Sequence, residues 1–257
     1  TVNHPPSGIV GSSPTRCTMK KPLRNFILIV ILLIGLAFFL WPSLGSDARE
    51  YFLAKVLGSE FCPKGQGGDF DDEILVYVNK EISLPSNYIP KSLVLIPKEV
   101  KTTNAICVKS EVVPYLKDMF DDALTQNINL AVTSGFRSEE TQAFLYNALF
   151  KLKGEKAKDR IAKPLHSEHQ LGTTMDISGE SIGYVSASNR FIDTLEALWL
   201  EQNAYKYGFV LSYQKDKTPI TGYDYEPWHY RFVGLETAQK IFEQKITIEE
   251  YLISSEM

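Results

Sequence analysis

The stretch 167-SEHQLGTTMD-176 places one histidine, two carboxylates, a glycine and several hydroxyls in a single short run, and 226-EPWH-229 follows about fifty residues later. The chain has only four histidines in 257 residues, and two of them fall in these runs. The first run is neither helix-periodic nor strictly alternating, so it reads as a bend able to aim several side chains at one point. Zinc in a catalytic site takes three protein ligands from His, Asp, Glu or Cys and keeps a further position open. His169, Asp176 and His229 can supply that set, and Glu226 is then the natural general base. Positions three apart in a regular strand face opposite sides, so Glu226 and His229 share a site only if the backbone between them is irregular. Pro227 predicts that irregularity. Each signal alone is weak, because a lone histidine is more often structural than a ligand, and no H-E-x-x-H run is present.

Composition limits the alternatives. With 44% hydrophobic and 23% charged residues, the length suits one medium-sized globular domain plus appendages. A formal net charge of -4 leaves no excess of Lys and Arg to neutralise phosphates, which excludes nucleic acid as a partner.

The first part of the chain does not read as part of that domain. Residues 1–25 are expected to be a disordered or non-native tail with a basic flank, in which Met19 of MKKPLRN reads as a start. Residues 26–44 form an uncharged apolar run, against the roughly 30 Å and about twenty residues that a membrane span needs. A retained transmembrane signal anchor is favoured over a cleaved signal, because no small-x-small site follows directly. Lys20, Lys21 and Arg24 mark the N-terminal side as cytoplasmic, which puts the remainder outside the cytoplasm. Residues 45–72 are expected to be a linker and 73–257 the folded domain. In an oxidising space Cys62 and Cys107 either pair, closing a loop of about 45 residues with a stabilisation of about 3 to 4 kcal/mol, or stay as two thiols.

Within the domain, 74-ILVYVNK-80 and 129-NLAVTSGF-136 read as strands, as do 209-FVLSY-213 and 229-HYRFVG-234. Helices are expected from Ser110 to about Gln126 (Val113, Leu116, Phe120 and Leu124 inward), from a Ser138 cap to Lys153, over 189–207 (Phe191, Leu195, Leu198 and Trp199 inward) and over 235–244. Gly208 suits a left-handed cap. Helices and strands not in strict alternation argue for an α+β fold with a small antiparallel sheet flanked by helices.

The pattern S-x-H-x-x-G-x-x-x-D at 167–176 with E-P-W-H at 226–229 resembles the VanY-type D-alanyl-D-alanine carboxypeptidases, zinc peptidases related in fold to lysostaphin-type enzymes and the hedgehog domain. The likeness extends to 134-SGFRSEETQ-142, 208-GFVLSY-213 and 221-TGYDYEPWHYRFVG-234. It implies zinc held by His169, Asp176 and His229, with Glu226 as the base. It further implies that Arg137 meets the substrate carboxylate or the developing oxyanion, with Gln142 and Ser167 near the bound peptide. Two positions depart from the family's usual residues, Thr174 for alanine and Ser212 for arginine, and neither is a ligand position.

Bland readings stand beside these. Arg137 alone would more commonly pair with Glu139 or Glu140 at the surface, Ser167 can simply brace its loop, and His166 has no role in the pattern. Trp228 and Tyr230 are expected to pack, while Tyr223 and Tyr225 either line a groove or pack. The implied activity is removal of a terminal D-alanine from peptidoglycan stem peptides by a monomeric enzyme tethered to the membrane. Crosslink cleavage, L,D-carboxypeptidase activity and a non-catalytic wall-binding module are the alternatives.

Overall fold

The computed structural model describes residues 62–67 and 74–255. The expected tail, the expected anchor and most of the expected linker lie outside them. Among the described residues no helix is long and apolar enough to cross a membrane.

The fold mixes small antiparallel sheets with helices. In chain order, β1 (Leu93–Leu95) and β2 (Cys107–Lys109) form a two-stranded sheet. Next come α1 (Val113–Thr125), β3 (Leu130–Ser134), α2 (Glu139–Lys153) and β4 (Thr174–Gly179). They are followed by α3 (Leu195–Asn203), β5 (Phe209–Leu211), the short α4 (Thr218–Thr221), β6 (His229–Phe232), α5 (Leu235–Gln244) and α6 (Ile248–Ser255). The second sheet has the order β3-β4-β6-β5 with every neighbour antiparallel.

Alternation along the central strands sorts the side chains. Met175 and Ile177 of β4 and Tyr230 and Phe232 of β6 enter the main core with Leu116, Met119 and Ala123 of α1. Asp176 and His229 fall on the other face, because successive strand residues point to opposite sides. The sequence carried this pattern in Thr174-Met175-Asp176-Ile177-Ser178. It is short, it begins inside the run read as a bend, and its polar side is buried as fully as its apolar side, so β4 was not anticipated as a strand.

Several expected elements hold and others shift. Ser138 accepts the Thr141 N–H at 3.2 Å and starts α2 as anticipated. Gly208 has φ of 82° and ends the helical region before β5. Residues 74–80, however, are not a strand. The carbonyls of Ile74 and Val76 accept from Arg231 Nη2 at 3.4 and 2.5 Å, and Val78 packs in a small separate cluster with Leu84, Tyr88 and Leu171. A helix running unbroken over 189–207 is also corrected. Asp193 takes φ of 62°, Thr194 caps by accepting the Ala197 N–H at 3.2 Å, and α3 begins only at Leu195. That shift leaves Leu195 73% and Leu198 41% exposed. Leu124 is likewise exposed, and Met119 and Ala123 take the inward positions of α1. Ser110 opens a 3-10 turn ahead of α1 and Pro114 sits in the first turn of the helix. The C-terminal helix α6 was not foreseen.

Cys62–Gly67, in the stretch expected to be linker, is fastened to the domain. Cys62 is disulfide-bonded to Cys107 on β2, and the Gly67 N–H donates to Ile89 O at 3.0 Å. Closing a 45-residue loop restricts the unfolded chain. Reducing the bond, or making Cys62→Ser, should lower unfolding free energy by about 3 to 4 kcal/mol in a denaturant titration. Identical midpoints with and without reductant would mean the crosslink does not constrain the unfolded state.

Candidate metal centre

Register across the sheet builds the centre. Asp176 on β4 stands directly opposite Ser134 of β3 on one side and His229 of β6 on the other, so the three side chains share a face. His169 arrives from a 3-10 turn, Glu168–Leu171, that ends at Gly172 with φ of 73°. The left-handed backbone is what calls for glycine there; a Cβ would come within 2.8 Å of Leu93 Cδ2, a side-chain end that can shift.

Hydrogen bonds behind each ring decide which nitrogen faces the centre. His169 Nδ1 lies 2.8 Å from Gly135 O, and because a carbonyl only accepts, Nδ1 carries the proton and Nε2 presents its lone pair. His229 Nε2 lies 2.9 Å from Glu168 Oε2, which turns Nδ1 to the centre. The two inward nitrogens stand 3.3 and 3.5 Å from Asp176 Oδ1, and the candidate ligand atoms all lie within 4.8 Å of one another. Asp176 Oδ1 is buried and accepts no hydrogen bond. With both inward nitrogens unprotonated, three buried lone pairs would face one another, which is unfavourable unless a cation sits between them, so the donor set fits a divalent metal.

The electrostatics agree. Burial works against the Asp176 carboxylate, but His169, His229 and Arg137 hold it well below the usual range. Burial also works against a charged His229, yet Asp176 and Glu168 lift it to about 9. Without metal, the centre holds a proton where a cation fits. Burial, reinforced by Arg137, drops His169 to about 4. Glu168, opposed by burial, is brought to about 2 by Arg231 and His229.

Glu226 occupies the irregular backbone predicted from Pro227. The His229 N–H donates to Glu226 O at 3.0 Å in a turn, and the Glu226 N–H donates to Tyr213 O at 3.1 Å. This curl brings Glu226 Oε2 to 3.6 Å from His229 Nδ1. Burial, with Asp176 adding and His229 opposing, lifts the Glu226 carboxyl to about 7. A cation in the centre would draw it back down.

A cleft of about 350 Å3 opens onto this set. Arg137 does not take the surface pairing that was its commoner alternative. Its Nη2 donates to Asp176 Oδ2 at 2.9 Å, and both Nε and Nη2 donate to Ser134 Oγ. Gln142 and Ser167 line the cleft. Gln142 Nε2 donates to Ala162 O at 2.8 Å, which leaves its buried Oε1 without a partner, and Ser167 makes no capping bond. Tyr223 lines the cleft, whereas the Tyr225 hydroxyl turns away to Glu201 at 2.6 Å. Trp228 and Tyr230 are buried in the main core, and His166 bonds Asn79 O outside the centre.

Sequence reading passed over Glu168, Arg231 and Tyr213. The Tyr213 ring packs 4.6 Å from the His229 ring. Glu168 joins His229 to Arg231, whose Nη1 donates to Glu168 Oε1 at 2.8 Å. The available signal was a carboxylate directly before His169 and an arginine two residues after His229 on one strand face.

The family described as VanY, D-alanyl-D-alanine carboxypeptidase, matches residues 105–235. The chain is 42% identical over 184 residues to YodJ of Bacillus subtilis (strain 168), which carries a provisional carboxypeptidase designation; the match covers 70% of this chain and 67% of that one. It is 36% identical to a D-alanyl-D-alanine carboxypeptidase of Enterococcus faecalis (strain ATCC 700802 / V583), over 72% of this chain and 68% of the relative. Among solved structures it is similar to the LD-carboxypeptidase LdcB, with a TM-score of 0.66 at 42% identity, covering 72% of this chain and 87% of that one. It is also similar to a vancomycin-resistance D,D-pentapeptidase VanY variant in complex with Zn(II), with a TM-score of 0.58 at 35% identity, covering 70% of this chain and 98% of that one.

A metal entering this centre must displace the His229 proton, which is held up to about pH 9. Below that value the proton competes, and raising the pH frees the nitrogen. The apparent affinity for a divalent metal, read by chelator competition, should therefore climb about tenfold per pH unit between pH 6 and 8. A flat profile would remove His229 from the ligand set.

Proposed function

We propose that this chain, which belongs to the VanY family of D-alanyl-D-alanine carboxypeptidases, is a zinc-dependent enzyme that removes C-terminal D-alanine from peptidoglycan stem peptides. The observation that carries the reading is the convergence of His169 Nε2, His229 Nδ1 and Asp176 Oδ1, with the Arg137 guanidinium 2.9 Å from the other Asp176 oxygen. Arg137 donates to Asp176, one of the residues that would hold the metal, so an anion held by this guanidinium would lie beside the metal position. The bond cut is then the one next to a free carboxylate, which favours a carboxypeptidase over an endopeptidase.

When bound, the zinc ion supplies Lewis acidity toward the scissile carbonyl and toward a water. Glu226 takes the proton from the attacking water at Oε2 and delivers it to the nitrogen of the departing alanine. Its place on the cleft side of His229, at 13% side-chain exposure, lets it reach both while keeping bulk water away. Arg137 holds the terminal carboxylate or the developing oxyanion with a charge-assisted bond. The free Gln142 Oε1 accepts an N–H from the bound peptide, and Ser167 orients the chain beside it.

The likeness to LdcB, at 42% identity, favours one second reading: the alanine removed is the last residue of a tetrapeptide, in an L,D reaction. In either form the enzyme is proposed to act as a monomer outside the cytoplasm, tethered by residues 26–44. The Cys62–Cys107 disulfide is in keeping with an oxidising compartment.

The test is to incubate the zinc-loaded full chain with stem pentapeptide and tetrapeptide and weigh the products. Loss of one alanine from one of them is expected, and which one separates the D,D from the L,D reading. Glu226→Gln should lower kcat by about 10²- to 10⁴-fold with little change in KM. Arg137→Ala should weaken kcat/KM by about 10- to 100-fold, in line with loss of a charged hydrogen bond. Equal cleavage of a peptide whose terminal carboxylate is capped as an amide would sink the carboxypeptidase reading.

A further inference from the structure

We infer that Glu168 is a positioning residue: with Arg231 it fixes the His229 ring in the single tautomer that turns Nδ1 to the metal. The inference rests on the zinc reading of the centre proposed above. It concerns a position that the S-x-H pattern leaves open.

The geometry is specific to this chain's residues. Glu168 and His169 are neighbours in one 3-10 turn and both are buried. His169 reaches the front of the centre, 3.3 Å from Asp176 Oδ1, while Glu168 reaches behind the other ring, 2.9 Å from His229 Nε2. A carboxylate at that distance accepts only, so the proton must reside on Nε2. The second Glu168 oxygen accepts from Arg231 Nη1 at 2.8 Å. Arg231 is fully buried and spends Nη2 on the carbonyls of Ile74 and Val76. His229 and Arg231 lie two apart on β6 and share a face, so one carboxylate spans both. The carboxylate is thus held from both ends and cannot rotate away from the ring. Outer partners of this kind set the orientation and basicity of a metal-ligating histidine.

A purely structural role makes a different prediction. If Glu168 existed only to balance the buried Arg231 charge, removing both charges together would leave metal binding intact, because a buried ion pair replaced by neutral groups of similar volume is often neutral for stability. A positioning role predicts weak binding in that double variant as well.

The experiment uses the full chain. Zinc affinity is measured by chelator competition for the wild type, Glu168→Leu, and the double variant Glu168→Leu with Arg231→Met, which remove the acceptor behind His229, with thermal melts of the metal-free proteins as the folding control. Both variants should bind zinc about 10- to 100-fold more weakly, and kcat should fall with KM nearly unchanged. The nitrogen NMR spectrum of the zinc-loaded wild type should show the His229 proton on Nε2, a readout that needs no variant to fold. Wild-type affinity in the double variant, or a His229 proton found on Nδ1, would overturn the inference while leaving the peptidase reading in place. A wild type that binds no zinc would overturn both.

Discussion

The buried carboxylate of Asp176 is the constraint around which the rest is arranged. It lies at the middle of a four-stranded sheet, 1% exposed, where an unpaired charge costs several kcal/mol. Arg137 answers one oxygen and leaves the other without a hydrogen bond. That remaining oxygen is what makes the face of β4 a site and not simply a satisfied core, since only a proton on a nearby ring or a cation can balance it. Two histidine nitrogens face it because each ring has its other nitrogen occupied, one by a backbone carbonyl and one by Glu168.

Two different devices deliver the ligands, and they differ in stiffness. Asp176 and His229 are fixed by strand register, so a slip of one residue in β4 or β6 would turn either side chain into the hydrophobic core. His169 depends on a tight turn that closes at Gly172 against Leu93 and Lys109. Leu93 of β1 pairs with Lys109 of β2, two residues after the disulfide-bonded Cys107, and the Lys109 N–H donates to Gly172 O at 2.8 Å. The small sheet therefore braces the turn from behind.

The sequence disclosed what depends on local chemistry and withheld what depends on distant partners. A serine cap, a glycine with positive φ and an i-to-i+3 turn around proline are short-range events, so the start of α2, the end before β5 and the irregular 226–229 segment were legible. Residue types alone signalled the grouping of His169, Asp176 and His229 only weakly, and the resemblance to the VanY family singled it out; the structure brings the three together. Residues 74–80 looked like a strand because their apolar content is high, but whether a strand forms depends on a neighbour with free backbone groups, and here the Arg231 side chain takes that place. The 189–207 helix was read too long because Asp193 in a left-handed conformation leaves no mark in apolar spacing. Glu168 and Arg231 were illegible for the same reason as 74–80. Each is an ordinary charged residue until the fold places them 2.8 Å apart with His229 beside them.

On the proposed reading, the same contacts would let an acidic chain hold an anionic peptide end. With a net charge of -4, the protein has no long-range field that would draw in a carboxylate. Recognition must be local, and the centre supplies it by separating its charges. Glu168 has its charge consumed by Arg231 and His229, so it adds little repulsion in the cleft. Asp176 is shared among Arg137 and the two histidines, and a divalent ion would more than cancel it. Among the described residues lining the cleft, Glu226 is the carboxylate beside Asp176, and in the metal-free centre burial lifts it to about 7. On that reading a carboxylate arriving at Arg137 would meet a site made locally positive by the metal, next to Glu226 as the base. Both properties follow from which oxygens the buried partners leave free.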